Sequence, residues 1–209
     1  MSQVQLINHP LVLHRLSQMR KKETTTADFR NLLKEISLFI AYEVSKNFLT
    51  ELKEIETPLC KTQAPFLKEK SPVIISILRA GNGLLDGFLK LIPDSKVGYI
   101  GLAREEKAKD IIEYYYKVPS DMSSRRAIII DPMLATAKSS LVAIDRIKSE
   151  NPLSLDFVCL LASKKGIELL EKNHPDIRIF TAAIDPILDE KSYIVPGLGD
   201  AGDRLFGTL

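Results

Sequence analysis

A chain of 209 residues, 45% hydrophobic and 27% charged, carries enough apolar material for one domain-sized core, which excludes a fibrous, low-complexity or largely disordered protein. A formal charge of +2, with lysines scattered and no sustained basic run, gives no footprint for nucleic acid and leaves small anionic ligands open. No apolar run nears the ~20 residues of a bilayer span and the opening MSQVQLINHP lacks a signal-peptide core, so a single soluble domain over 1–209, cytoplasmic and without a membrane partner, is expected.

After an irregular start, Thr24 to Thr26 offer hydroxyl caps to a long amphipathic helix marked by Phe29, Leu32, Leu33, Ile36, Ile40 and Val44. Glu56 to Lys70, with two prolines, reads as a surface loop. From Val73 onward short apolar runs alternate with helical stretches. Val73–Leu78, Val97–Leu102, Ala127–Ile130, Leu155–Leu161 and Ile177–Ile184 are the predicted strands, and their spacing predicts a parallel, doubly wound α/β sheet. Between Arg104 and Ser123 a charged stretch, EEKAKD, precedes Ile111, Ile112, Tyr114 to Tyr116 and Pro119, a pattern that reads as a β-hairpin or arm over the site. Cys60 and Cys159 have no metal-knuckle spacing and read as buried or incidental thiols in a reducing compartment. His9, His14 and His174 form no HxH or HExxH pattern, and none is nominated as catalytic.

The stretch Ala127 to Ser140, AIIIDPMLATAKSS, runs a buried strand into small and hydroxylic residues that open a helix, whose apolar stripe is read as Leu141, Val142, Ile144 and Ile147. First-turn amides lack intrahelical partners and the helix dipole favours an anion, so Thr136 to Ser140 suit a phosphate. Asp131 stands at the mouth of this loop. A carboxylate does not hold phosphate, so its partners are sugar hydroxyls or a divalent cation carried by the phosphates. Arg79 ends the VIISIL strand before the small residues Ala80 to Gly83, and Arg104 follows Val97–Leu102 in the same sense. Two guanidiniums at strand ends suit a diphosphate. The segment Ile194 to Ala201 is too rich in glycine and proline for a regular element and reads as an ordered loop with exposed peptide groups.

The loop resembles the phosphoribosyl pyrophosphate (PRPP) loop of type I phosphoribosyltransferases, and DPMLAT is close in wording to the uracil phosphoribosyltransferase family. His9-Pro10-Leu11-Val12, Ile77-Leu78-Arg79-Ala80-Gly81, Arg104 and the tail from Tyr193 to Gly207, YIVPGLGDAGDRLFG, follow in that family's order along nearly the whole chain. The resemblance implies a mostly parallel sheet flanked by helices, a β-arm and a C-terminal base-binding loop. It implies transfer of the phosphoribosyl group of PRPP to uracil, giving UMP and diphosphate, with Mg²⁺ carried by PRPP and no direct protein ligand to the metal.

Carried over residue by residue, Arg79, Arg104, Asp131 and Asp200 are the catalytic candidates. PRPP would meet these four together with Pro132, Met133, Leu134, Ala135, Thr136, Ala137, Lys138 and Ser139, and uracil would meet Ile194, Gly199, Asp200 and Ala201. No general base is assigned, since either Asp200 or loss of the proton to water serves. A homodimer or higher homo-oligomer is implied, with the three tyrosines of the arm either at its interface or capping the sheet, and GTP stands as a candidate effector. Two other readings are an impaired uracil- or nucleotide-binding regulator and a phosphoribosyltransferase for another base.

The chain departs from the family at three places. Ala137-Lys138-Ser139 stands where Gly-Gly-Ser is usual, Asn82 where an apolar residue is usual, and Glu105 to Lys109 follow Arg104. A methyl group at Ala137 is expected to crowd the phosphate and, at positive φ, to cost about 1–2 kcal/mol, or roughly tenfold in PRPP affinity.

Overall fold

The computed structural model describes residues 4–104 and 111–208, with Arg104 described by its backbone alone. In chain order the first half holds β1 (Val4–Leu6), α1 (Pro10–Arg20), α2 (Thr26–Ser45), β2 (Thr50–Glu56), β3 (Lys61–Leu67), β4 (Val73–Leu78), α3 (Asn82–Leu91) and β5 (Lys96–Arg104). The second half holds β6 (Ile111–Lys117), β7 (Arg126–Ile130), β8 (Met133–Leu134), α4 (Lys138–Lys148), β9 (Ser154–Val158), β10 (Leu161–Ser163) and α5 (Lys164–Asn173). Then come β11 (Arg178–Thr181), β12 (Ala183–Asp185), β13 (Ile187–Leu188), β14 (Ile194–Val195) and α6 (Ala201–Phe206).

The main sheet has the order β1-β11-β9-β7-β4-β5-β6, parallel throughout except for β6, which runs antiparallel to β5. Every residue of β7 is buried because helices cover both faces. Ile74, Ile128 and Ile130 point into a core shared with α1, α2, α3 and α6, whereas Val73, Ile75, Ala127 and Ile129 join the core under α4 and α5. The doubly wound sheet is therefore as expected. Chain order runs from β4 outward to β5 and then returns past β4 to β7, so the sheet reverses direction between β4 and β7. Ligands collect at the carboxyl ends of strands at such a reversal.

The predicted long helix is α2, with Thr25 as its cap: the Thr25 hydroxyl accepts from the Asp28 N–H at 3.2 Å. From Val4 onward the first described residues are regular rather than irregular. β1 pairs with β11, and α1 begins at Pro10 after His9, whose Nδ1 accepts from the Leu11 N–H. Its buried Val12, Leu16 and Met19 alternate with exposed Leu11 and Leu13, which blurs the helical stripe.

Glu56 to Lys70 is not a loop but the turn and second strand of an antiparallel hairpin, β2 with β3, closed where Thr57 Oγ1 accepts from the Leu59 and Cys60 amides. Both strands are largely exposed, so no apolar run marks them, and Pro65 is tolerated in an edge strand. The runs Leu155–Leu161 and Ile177–Ile184 each split in two. At Cys159-Leu160 and at Ala182 the chain leaves the main sheet for a three-stranded parallel sheet, β12-β10-β8, and because these residues are themselves buried and apolar nothing in the pattern marks the step. On α4 the buried stripe is Ser140, Ala143, Ile144 and Ile147, with Leu141 and Val142 only half-buried. The charged stretch Glu105 to Lys109 lies outside the described residues.

Candidate active site

Two strand ends at the reversal of the sheet build the site. At the end of β7 the Asp131 N–H donates to Val158 O at 3.0 Å, continuing the ladder with β9 for one more residue. Pro132 O then accepts from both the Leu160 and Leu161 amides, and Met133-Leu134 pairs with Leu161-Ala162. Ser163 locks the loop from outside: its hydroxyl donates to Ala135 O at 2.6 Å and accepts from the Gly166 N–H at 2.8 Å. A side chain at Gly166 would meet Ala135 O at 2.5 Å, so glycine is required there.

Ala137 has φ 60° and ψ 0°, the left-handed conformation, and the first described helical bond is Leu141 N–H to Ala137 O at 2.8 Å. The amides of Lys138 to Ser140 thus open α4 in the manner expected for an anion cradle. The strain at Ala137 is as expected, but the crowding is not. Ala137 is 3% exposed and packs in the core with Leu134, Ala143 and Ile144, and it does not line the cleft. Pro132 and Leu134 are buried as well, so these three residues offer a ligand only their peptide groups, whereas Lys138 is exposed and Thr136 and Ser139 half-buried.

Arg79, exposed at the end of β4, lies over the ring of Phe206 at 5.6 Å. Behind it Gly81 packs against strand backbone: a Cβ there would meet Ile130 O and Ile77 O at 2.6 Å, which holds the ends of β4 and β7 together. Asn82, one of the departures, accepts from the buried Ser76 hydroxyl at 2.9 Å and so satisfies a polar group inside the sheet. Arg104 ends β5, its side chain lying outside the described residues.

The tail closes the cleft. β13 and β14 form a short hairpin whose turn is tied by Asp189, which accepts from the Lys191 and Tyr193 amides. Asp200 caps α6 by accepting from the Asp203 N–H at 2.9 Å. A cavity of about 380 Å³ is lined by Met133, Ala135 and Thr136 on one side and by Lys191, Ser192, Tyr193, Ile194, Gly199, Asp200 and Ala201 on the other. Phosphate-loop and tail residues predicted from sequence thus share one cleft. Ile194 and Ala201 are nearly buried, so they meet it with little more than an edge. Lys191, Ser192 and Tyr193 are not among the site residues expected from sequence. Their only signal was the polar turn between two short apolar pairs.

Asp131 keeps a partly exposed edge, yet its carboxyl is pushed up to about 7. Burial is the main cause, the Met133 N–H works against it, and the charge of Asp200 adds to it. Asp131 therefore feels the charge of Asp200, although Asp131 is not itself among the residues that line the cavity. Among the described residues no group of three or more His, Cys, Asp or Glu side chains could surround a metal ion. The hard oxygens of Asp131 and Asp200, close enough for the charge of Asp200 to be felt at Asp131, suit a divalent cation that arrives with a ligand.

Comparison with known proteins gives the family and the fold. Residues 6–208 match the family model described as uracil phosphoribosyltransferase. A uracil phosphoribosyltransferase of Legionella pneumophila is 54% identical over 207 residues, covering 99% of this chain and 97% of that protein. Among solved structures, a protein of Aquifex aeolicus superposes with a TM-score of 0.91 at 35% identity, covering 97% of each chain. A purine phosphoribosyltransferase of Pyrococcus horikoshii has a TM-score of 0.50 at 16% identity, covering 75% of this chain and 93% of that one, and so shares the type I phosphoribosyltransferase fold.

Proposed function

Because the chain belongs to the uracil phosphoribosyltransferase family, we infer that the cleft between the Pro132–Ser139 loop and the Ile194–Ala201 tail is its substrate site. The activity is transfer of the phosphoribosyl group of PRPP to uracil, a step of pyrimidine salvage. The bond from uracil N1 to C1′ forms as the C1′–O bond to diphosphate breaks, the electron pair departs with diphosphate, and the N1 proton goes to water or to Asp200. Positive charge grows on the ribose and negative charge on the leaving group, so electrostatic placement carries the catalysis.

The observation that supports this assignment most is the convergence of the phosphate loop and the tail on one cavity at the reversal of the sheet. We assign the 5′-phosphate to the peptide N–H groups and hydroxyls of Leu134, Ala135, Thr136, Ala137, Lys138 and Ser139, with Pro132 and Met133 beside PRPP. Asp131 takes the ribose hydroxyls, and Arg79 and Arg104 take the diphosphate. Ile194, Gly199, Asp200 and Ala201 take the base, whose carbonyl and N–H groups pair with peptide edges. Mg²⁺ carried by PRPP would neutralise diphosphate charge beside Asp131 and Asp200.

We further read residues 1–209 as one cytoplasmic domain acting as a homodimer or larger homo-oligomer, with GTP a candidate effector. Exposed Leu52 and Phe66 on the β2-β3 hairpin and Ile112, Tyr114 and Tyr115 on β6 support the assembly. Tyr116 instead packs inward, donating to Glu150 beneath Arg146.

The test is conversion of uracil to UMP with PRPP and Mg²⁺. Product is expected with uracil and not with hypoxanthine or orotate. Asp131→Asn should lower kcat/KM at least about a hundredfold, while Ala137→Gly should stay within about tenfold of the parent chain. Full activity in Asp131→Asn would remove that residue from the site.

A further inference from the structure

The tail is held by charges that come from the other end of the chain. Arg20, the last residue of α1, forms a fork with Asp185 at the end of β12, with Nη1 to Oδ2 at 2.6 Å and Nη2 to Oδ1 at 2.8 Å. The same Nη1 donates to Gly197 O at 2.7 Å, and Asp185 Oδ2 accepts from the Gly197 N–H at 2.8 Å. One ion pair therefore grips both sides of a single residue. Gly197 has φ +58°, and a Cβ there would stand 1.9 Å from Ile194 O, so the turn admits only glycine.

One residue further on, Arg204 donates to Leu198 O at 2.9 Å, with its other bonds to Met19 O and Lys21 O on either side of Arg20 and to Thr24 O, and it stacks over Phe29. Asp185 is 6% exposed, and a carboxylate so placed needs its fork-shaped partner. With the Gly197 peptide and the Leu198 carbonyl engaged, the peptide groups from Gly199 to Ala201 follow on a fixed path along the cavity.

We propose that Arg20 and Asp185, with Arg204, are positioning residues for the base: they set the path of Gly197 and Leu198 so that the peptide edge from Gly199 to Ala201 meets a planar ligand with alternating carbonyl and N–H groups. The proposal rests on the assignment of the tail to uracil. None of the three lines the cavity, and each acts through the loop. Of the groups assigned to PRPP only Asp200 belongs to the tail, the others lying on the Pro132–Ser139 loop and at Arg79, Arg104 and Asp131, so PRPP binding depends on Arg20, Asp185 and Arg204 far less than uracil binding does.

The experiment is steady-state kinetics in both substrates for Arg20→Gln, Arg20→Lys and Asp185→Asn, beside Ala201→Val as a direct probe of the base site. Arg20→Gln and Asp185→Asn should raise the KM for uracil about tenfold or more, with the KM for PRPP within about twofold. Arg20→Lys, which keeps the charge but loses the fork, should fall between these and the parent chain. Circular dichroism and the thermal midpoint identify any variant that has merely unfolded, and Arg20→Lys, the mildest change, keeps the split readable in that event. A uracil KM that moves in Ala201→Val but not in the Arg20 and Asp185 variants, or both KM values rising together, would overturn the proposal alone. A uracil KM unmoved in all four would remove the base site from the tail and the proposal with it.

Discussion

At the scale of single residues, Ala137 holds a backbone conformation and Asp131 a proton against local preference. The Asp131 carboxyl has its pKa pushed from 3.8 to about 7, chiefly by burial. Below about pH 4 it is protonated whether the chain is folded or not, and between about 4 and about 7 only the folded chain holds the proton. Its contribution to stability therefore declines as pH rises through that window and is at its least above about 7. The ionised form is the one that accepts from ribose hydroxyls. We predict that kcat/KM for PRPP falls on the acid side with an apparent pKa near 7, and that this limb vanishes in Asp131→Asn. A pH profile flat from 6 to 8 in the parent chain would contradict the placement of Asp131. Ala137 shows how a residue can be read correctly and its consequence wrongly. Its left-handed backbone is the strained turn that was expected, but its methyl is buried in the core and does not line the cleft.

Elements were legible where one pattern dominated. The period of α2 and the apolar run of β4 followed from sequence because each buries a continuous stripe or strand. The β2-β3 hairpin was not legible, since it buries neither face and carries no such pattern. Packing between elements adds constraints that no single element reveals. Gly87 of α3 sits against α2, where a Cβ would fall 1.7 Å from the Ser37 hydroxyl and 2.9 Å from the Leu38 backbone nitrogen. Gly87→Ala is a favourable substitution by helix propensity, yet here it should destabilise by about 1–3 kcal/mol through overpacking. Urea unfolding decides between the two: a midpoint equal to or above the parent chain's would mean that α2 and α3 are free to part.

At the scale of the whole molecule, the two cysteines report how completely the sheet is covered. Cys159, between β9 and β10, is fully buried and its thiol is pushed up to about 12 by that burial, whereas Cys60 is exposed in the hairpin turn. A thiol reagent at neutral pH should label Cys60 rapidly and Cys159 only after denaturation. Rapid labelling of both in the native protein would require a sheet far more open than this one. The reversal between β4 and β7 belongs to the same scale: it brings together Arg79 and Asp131, 52 positions apart in sequence, by strand order alone.

The sequence by itself determined the class of fold, the strand-to-helix loop at Asp131 and the irregular glycine-rich tail, because each is written in local patterns of apolar runs, small residues and glycine, while the resemblance to a family supplied the tail as the loop's companion. Only the tertiary structure decided which side chains in those segments face the cleft, where the two long apolar runs change sheets, and that Arg20 and Asp185 hold the tail. Those outcomes depend on contacts between distant segments. A buried strand looks the same before and after it changes partner, and an arginine shows no mark in sequence of the carboxylate it will meet 165 residues away.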